Sequence, residues 1–436
     1  IIRSMRKMFS HCLKLSYKDT AQQNSYVTIP RAANSFDNTE IAANIDEDII
    51  DSLTGGRLVG SVTSFENFAE CPLRYYLRYG VDLKEREEFT FSPVNFGVVL
   101  HAVIREVCDE IKKNGESYYL ISEEKRREMV KRSVAAITDI YQNSILKDSS
   151  RNSFMIKRME DLADRTIWAM GEQLKCGDFV PFVFEHKFNM EVGDGDRKQL
   201  MSGTIDRVDI CENGTDVYVR IIDYKTGKKD FNIVKTYYGI DIQLMVYMEA
   251  AMKLVAKMRP GKNVIPAGVF YYNISDPIVS ATTESAEEIE DKIKGELRLK
   301  GMVNSDKDIA EKMDNTEGTS LNIPVSRKAD GGFDSRRSKV MNTEQFNMLG
   351  RFVDVRAVDT ADRIAGGDIR RSPYKDGQFS SCDRCPYGAV CGFSVDLPGC
   401  NYRKLKKFDD EVLWNNIKEG VDENGKKMDT GAEERD

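Results

Sequence analysis

The sequence predicts an α/β fold, a mixed central sheet flanked by helices, on three observations. Residues 97 to 178 carry helical periodicity, residues 180 to 227 switch to strand patterning, and a helical stretch at 241 to 257 leads into an apolar strand at 267 to 274. The last two steps close a β-α-β unit. With 436 residues the chain has room for one large domain with insertions, or for two or three ordinary ones.

Taken in order, residues 1 to 60 are polar and turn-rich around AANSFDNTE and SLTGG and read as a lead-in or the remnant of a missing upstream domain. The start, IIRSMRKMFSHCLK, has no initial Met and no apolar stretch of a signal peptide, so the chain reads as a piece of something longer. Thr63 followed by Glu66 is a capping-box pattern that starts a helix with Phe65, Phe68 and Ala69 on one face. GVVLHAVIREVCDEIKK, 97 to 113, places Leu100, Ile104, Val107 and Ile111 on one apolar stripe. Charged amphipathic helices fill 122 to 178. Three strands follow, VPFVFEHKFNMEV, LMSGTIDRVDIC and TDVYVRIIDYKTG, with Asn213-Gly214 as the hairpin turn between the second and third. The core is thus expected over about 180–275. Residues 276 to 380 mix helix with a polar loop around KADGGFDSRR and read as an insertion. Beyond Lys407, FDDEVLWNNIKE reads as a short helix and GVDENGKKMDTGAEERD as a disordered tail.

Composition narrows the function classes. Hydrophobic residues are 41% and charged residues 31%, and no apolar run approaches the length a bilayer requires, so no membrane span is expected. A net charge of -7 argues against a chain coated in basic surface, although a local basic channel is compatible with it. Nine cysteines without a secretory signal read as cytosolic thiols, some of them metal ligands. No G-x-x-x-x-G-K-[ST] phosphate loop occurs, so ATP hydrolysis is not expected.

The chemistry-bearing pattern lies in the strands. Side chains alternate along a strand, so Asp223 and Lys225 in IIDYKTG project from one side of the sheet. The hairpin turn near Gly214 sets Asp206, in GTIDRVD, opposite Asp223 or one same-face step away. Converging carboxylates suit a hard divalent cation such as Mg2+ (or Mn2+), which polarises a phosphoryl oxygen and acidifies bound water. Lys225 beside them can stabilise charge developing on a phosphate. Alone, a D-x-K pair on a strand is an ordinary surface ion pair; the flanking Ile221 and Ile222 and the partnered Asp206 lift it above that.

GTIDRVD, IIDYKTG and QLMVY together resemble, in order and spacing, the motifs of the PD-(D/E)XK nuclease superfamily, in its RecB-like branch. The resemblance implies a PD-(D/E)XK nuclease core with helical insertions. It implies catalytic roles for Asp206, Asp223, Lys225, Gln243 and Tyr247, the last two at i and i+4 on one helical face. It also implies a metal-binding role for His101, ending a G-x-x-x-H motif, and for Glu185 in FVFEHKF as a metal or outer-sphere residue. Asn95 stands where the family usually has Asp, and His11 and His186 match nothing.

Cys382, Cys385 and Cys391 form C-x2-C-x5-C, three thiolates within reach of one ion or cluster. The residues leave the fourth ligand open among Cys71, Cys400 and Cys108, and four thiolates serve zinc and iron-sulfur equally. F-A-x-C-P around Cys71, with SCDRCPYGAVCGF downstream, resembles the C-terminal nuclease domain of the AddB subunits of bacterial AddAB helicase-nucleases. That resemblance spans about Ser61 to Lys407. It implies a [4Fe-4S] staple on Cys71, Cys382, Cys385 and Cys391, DNA (duplex ends and single strands) as substrate, an AddA-type helicase-nuclease subunit as partner, and a bacterial cytoplasmic, nucleoid-associated location. The implied activity is Mg2+-dependent cutting of the 5'-terminated strand during DNA end resection in double-strand-break repair. A CRISPR-associated or free-standing RecB-like exonuclease, or an inactive module that guides DNA or docks a partner, are the alternatives. Basic stretches at 225–235, Arg336 to Lys339, Arg370-Arg371 and Arg403 to Lys407 are candidate DNA-channel residues, and Tyr237 and Tyr238 candidate base-stacking platforms.

Overall fold

The computed structural model describes residues 44–46, 59–84, 93–140, 150–192, 199–280, 284–397 and 400–433. Most of the expected lead-in, with His11, lies outside them. A seven-stranded mixed sheet organises the rest: β1 (Val59–Ser61), β2 (Val180–Val192), β3 (Gln199–Asn213), β4 (Asp216–Lys225), β5 (Asn263–Asn273), β6 (Lys300–Asn304) and β7 (Val340–Met341). β3 pairs antiparallel with β2 along its length, and its remaining pairing is shared between β1 at Leu200 to Ser202 and β4 at Arg207 to Asn213. The expected hairpin is present: Asn213 pairs with Asp216, and Gly214 takes φ 60 in the turn, a left-handed value that a Cβ would disfavour.

β4 and β5 run parallel, with Asp223 beside Tyr271, and the helix between them, Gln243–Met258, is the crossover. Strands buried on both faces read as near-continuous apolar runs, as here. On one face Ile222, Tyr224, Phe270 and Tyr272 pack with α2 (Pro93–Lys113), α3 (Glu123–Ile140) and α4 (Ser150–Lys175). The predicted stripe of Leu100, Ile104, Val107 and Ile111 is buried in that core. On the other face Val217, Val219, Ile221, Val269 and Tyr271 pack with α5 (Gln243–Met258), α6 (Thr343–Ala365) and α7 (Asp410–Glu433).

Three expectations are corrected. The helix after β1, α1 (Val62–Glu70), is capped by Ser61, whose hydroxyl accepts from the Ser64 amide; Thr63 lies inside it and Glu66 points elsewhere. Residues 276 to 380 are not a separate insertion, because β6 and β7 extend the central sheet and α6 covers its face. The expected disordered tail instead continues the last helix to Glu433. Leu413 and Ile417 anchor that helix in the core, and Gly420 lets it lie against Phe352, whose ring an added Cβ would meet at 2.7 Å. A polar composition read residue by residue misses such an anchored start.

Candidate active site

The end of β4 carries the site. Asp223 and Lys225 continue the alternation of Val217, Val219 and Ile221, so both face α5, and they form an ion pair. The β3–β4 ladder ends at Arg207–Ile222; Asp206 is the next residue, and its Oδ2 accepts the Tyr224 amide at 2.7 Å. Lys225 Nζ donates to Gln243 Oε1 at 3.0 Å, and Gln243 Nε2 donates to the Tyr247 hydroxyl at 2.9 Å. The i, i+4 pair on α5 thus steadies the lysine rather than merely sitting near it.

α2 delivers His101 against the two strands. Its Nδ1 lies 3.3 Å from Asp206 Oδ1 and 3.6 Å from Glu185 Oε1. Ligand atoms of His101, Glu185 and Asp206 all fall within 4.8 Å of one another, a spacing that one cation can bridge. Glu185 reaches this cluster through an unusual backbone. The β2–β3 ladder pairs Phe184 with Arg207 and His186 with Ile205, setting Glu185 across from Asp206, and Glu185 adopts φ 48. A left-handed non-glycine residue is strained and concentrates at functional sites. The sequence ranks Glu185 below Asp223 as a ligand. In the structure Glu185 belongs to the tight triad, while Asp223 stands beside it, paired to Lys225. His186 is outside the cluster.

The electrostatics are those of a site short of positive charge. Burial pushes the Asp223 carboxyl up to about 7, the Asp206 charge adds to the effect, and Lys225 opposes it. Burial alone would lower the His101 pKa, but hydrogen bonds to Asp206 and Glu185 and their charges hold it up at about 10. An imidazolium there does electrostatically what a bound cation would do.

Glu66 is the residue that sequence reading missed. Its carboxylate is buried, and Oε1 accepts the Ile242 and Gln243 amides, each at 3.0 Å. α5 has no cap from its own N-cap residue, so Glu66 supplies one from another element and fixes the helix end that carries Gln243. Burial raises Glu66 to about 7, against the pull of Lys229. Nearby, Lys229 pairs with Asp241 at 3.0 Å, and Asp241 accepts from the Tyr271 hydroxyl at 2.6 Å. Only the contact across 176 residues identifies Glu66, and no local motif encodes that.

Tyr237 and Tyr238 do not stand free to stack bases. Tyr237 lies parallel to Phe352 at 5.3 Å and edge-on to Phe408, and Tyr238 stacks on Phe408. Several expected channel cations are also engaged: Lys235 with Asp376, Arg370 with Asp368, and Arg403 with the Ala69 carbonyl.

The cysteines gather at a second place. Cys71 stands at the N-terminus of the short helix Pro72–Tyr75, where its side chain makes no cap hydrogen bond. Burial pushes the Cys71 thiol up, with the Cys385 charge adding to it. Cys382 and Cys391 each feel Cys71 and Cys385, so the four sulfurs form one electrostatic group; burial raises Cys382 and pushes Cys391 to about 11. Cys108 is excluded as the fourth member, since it is buried in the α2 core against Met170 Sδ at 4.0 Å. Among the described residues no three of these sulfurs lie within 4.8 Å of one another.

A family model, the PD-(D/E)XK nuclease superfamily, matches residues 60–392. The chain belongs to this superfamily. Among curated proteins, it is 34% identical over 89% of its length to the AddB-type subunit of the ATP-dependent helicase/deoxyribonuclease of Lachnoclostridium phytofermentans, covering 34% of that protein. The corresponding subunit in Clostridium acetobutylicum is 34% identical over 87% of this chain and 34% of its own length. That of Thermoanaerobacter sp. is 33% identical over 85% of this chain. The chain therefore spans about a third of the length of these relatives. This PD-(D/E)XK chain has, among its described residues, no helix long and apolar enough to cross a membrane.

Proposed function

We propose that this chain is the nuclease portion of a helicase-coupled deoxyribonuclease, hydrolysing DNA phosphodiesters with Mg2+ or Mn2+. The observation that carries the reading is the convergence of His101, Glu185 and Asp206 within 4.8 Å, beside the Asp223–Lys225 pair. The donor set fits a divalent cation, with carboxylate oxygens, one imidazole and a local excess of negative charge. His101, Glu185, Asp206 and Asp223 would hold it. When bound, it would polarise a phosphoryl oxygen and lower the pKa of attacking water. Lys225, steadied by Asp223, Gln243 and Tyr247, would neutralise charge growing on the phosphate. Glu66 would keep α5 in place for that contact.

The relatives' name supports a DNA substrate and an AddA-type helicase partner, with cutting of the 5'-terminated strand during break repair as the finer reading. We assign the four-cysteine group to a [4Fe-4S] cluster on Cys71, Cys382, Cys385 and Cys391. The mutual charge effects among the four thiols support a single four-thiolate site, and the motif resemblance around Cys71 and Cys382 to Cys391 supports iron-sulfur over zinc.

Asp206→Ala should lose at least ~10^3-fold in single-strand DNA cleavage with Mg2+, and its calorimetric Mg2+ binding should weaken by 10-fold or more. Cleavage equal to the parent chain would remove the proposed site.

A further inference from the structure

A second lysine and a second buried carboxylate stand beside the Asp223–Lys225 pair. Asp241 is buried just ahead of α5, where its Oδ1 accepts the Tyr271 hydroxyl at 2.6 Å and lies 3.0 Å from Lys229 Nζ. Among the described residues Lys229 is the one cation paired with Asp241. The chain is folded to bring it there. Asn273 accepts the Lys229 amide with its side-chain oxygen and donates its side-chain nitrogen to the Lys229 carbonyl, each at 3.0 Å. Asn273 ends β5 and pairs with Lys225, so the loop after β4 is clamped back against the strand end that carries the site. Lys229, a member of the basic stretch at 225–235, is thus turned toward an internal acid.

The two ammonium groups share one aromatic ring. Lys229 Nζ lies 4.6 Å and Lys225 Nζ 5.5 Å from the Tyr271 centroid, and the hydroxyl of that ring is bonded to Asp241. Lys225 therefore has two buried acids in its neighbourhood: Asp223, its partner, and Asp241, past the Tyr271 ring. Glu66 adds to the pull from that side, since its carboxyl feels the charges of Lys229, Asp241 and Lys225 together. Burial would lower the Lys229 pKa, but the charges of Asp241 and Glu66 raise it, so Lys229 is the cation that serves both acids. A buried carboxylate left without a cation is strongly disfavoured, and a lysine is a point charge on a flexible stem that can move to relieve it.

We propose that Lys229 is a positioning residue for the cleavage reaction: by occupying Asp241 it keeps Lys225 on Asp223 and Gln243. With Lys229 uncharged, Lys225 crosses the Tyr271 ring to Asp241, and its charge is withdrawn from the phosphate. The consequence for the rate rests on the role proposed above for Lys225, whereas the division of two lysines between two acids stands on the geometry alone.

The test uses Lys229→Met, which keeps the stem over Tyr271 and removes the charge. Steady-state cleavage of a fluorescent single-stranded oligonucleotide with Mg2+ should lose about 10^2-fold in kcat, as a displacement of about 1 Å near reacting groups does, while KM stays within about twofold. Lys229→Arg, which retains a cation for Asp241, should hold kcat within about fivefold of the parent. The decisive variant combines Lys229→Met with Asp241→Asn. It takes away the competing acid as well, and although it is the more heavily altered chain it should cleave at least ~10-fold faster than Lys229→Met alone. A crystal structure of metal-free Lys229→Met should show Lys225 Nζ against Asp241 instead of Asp223. A raised KM with kcat unchanged would make Lys229 a substrate contact and overturn the proposal. So would a double variant no faster than the single one, or Lys225 still seated on Asp223 in the variant crystal. A parent chain that leaves DNA uncut with Mg2+ would sink the nuclease reading, and the position of Lys225 in that crystal would still decide this one.

Discussion

The strand-borne carboxylate site and the cysteine group are assembled by opposite means. Asp206, Asp223 and Lys225 sit on two strands joined by a two-residue turn, in a sheet whose register is fixed by apolar packing on both faces. The ladder holds this constellation before any ligand arrives. The cysteine group joins Cys71 to Cys382, Cys385 and Cys391, more than 300 residues away, through elements of two to five residues. Little besides Leu77, Val81 and Tyr387 is buried there, with the Leu73 amide reaching Arg370 and Ser381 reaching Glu70. A rigid sheet tolerates electrostatic strain for chemistry, whereas a thin contact between distant segments relies on its ligands for cohesion.

The largest expected effect separates the two. Closing a loop of 100 residues contributes about 4.7 kcal/mol in the chain-entropy model, and longer loops only slightly more. Cys71→Ala should therefore lower stability by about 5 kcal/mol, read by urea denaturation, and release iron measured by metal analysis. Asp223→Asn should abolish cleavage while leaving the denaturation midpoint unchanged or raised, because it removes a buried charge. A Cys71 variant as stable as the parent would show that the cysteines do not staple the fold, and a parent preparation with stoichiometric zinc and no iron would replace the cluster by an ion.

How much of this was legible follows the same division. β2 to β5 and their hairpin are written in local alternation and in Asn213-Gly214, so Asp206, Asp223 and Lys225 could be placed together from sequence. The Gln243–Tyr247 pair follows from helical spacing. What escaped depends on distant chain. β6 joins the sheet only because β5 offers it an edge and β7 because β6 does, Glu66 acts on a helix start 176 residues on, and the last helix holds because Leu413 and Ile417 find a core. Glu185 was named from the family resemblance, but its left-handed backbone was not legible, since the fold and not the residue type imposes it.

Glu66 sharpens the comparison, because its burial places strain inside the rigid half. Its pKa rises from 4.5 to about 7, so the folded state holds the proton more tightly than the unfolded chain. The contribution to stability is full below about 4.5 and is lost as pH rises through about 7. Glu66→Gln keeps an oxygen for the Ile242 and Gln243 amides without the buried charge. It should be up to ~3 kcal/mol more stable than the parent at pH 8 and indistinguishable from it at pH 4, at 1.36 kcal/mol per pKa unit. Equal stability differences at both pH values would mean that Glu66 is not the titrating group. The kcat should fall only if the charge, rather than the hydrogen bonds, positions Gln243.

The smallest effect isolates the backbone of Glu185 from its carboxylate. A left-handed non-glycine residue costs about 1–2 kcal/mol, and Asn tolerates that conformation better than Glu. Glu185→Asn should therefore gain up to ~1 kcal/mol of stability while Mg2+ affinity drops by 10-fold or more. Glu185→Gln, which removes the charge but keeps the strain, should lose the affinity without the stability gain. Were both variants to bind Mg2+ as the parent does, the left-handed turn opposite Asp206 would be a feature of the β2–β3 ladder alone, and the cation site would narrow to His101, Asp206 and Asp223.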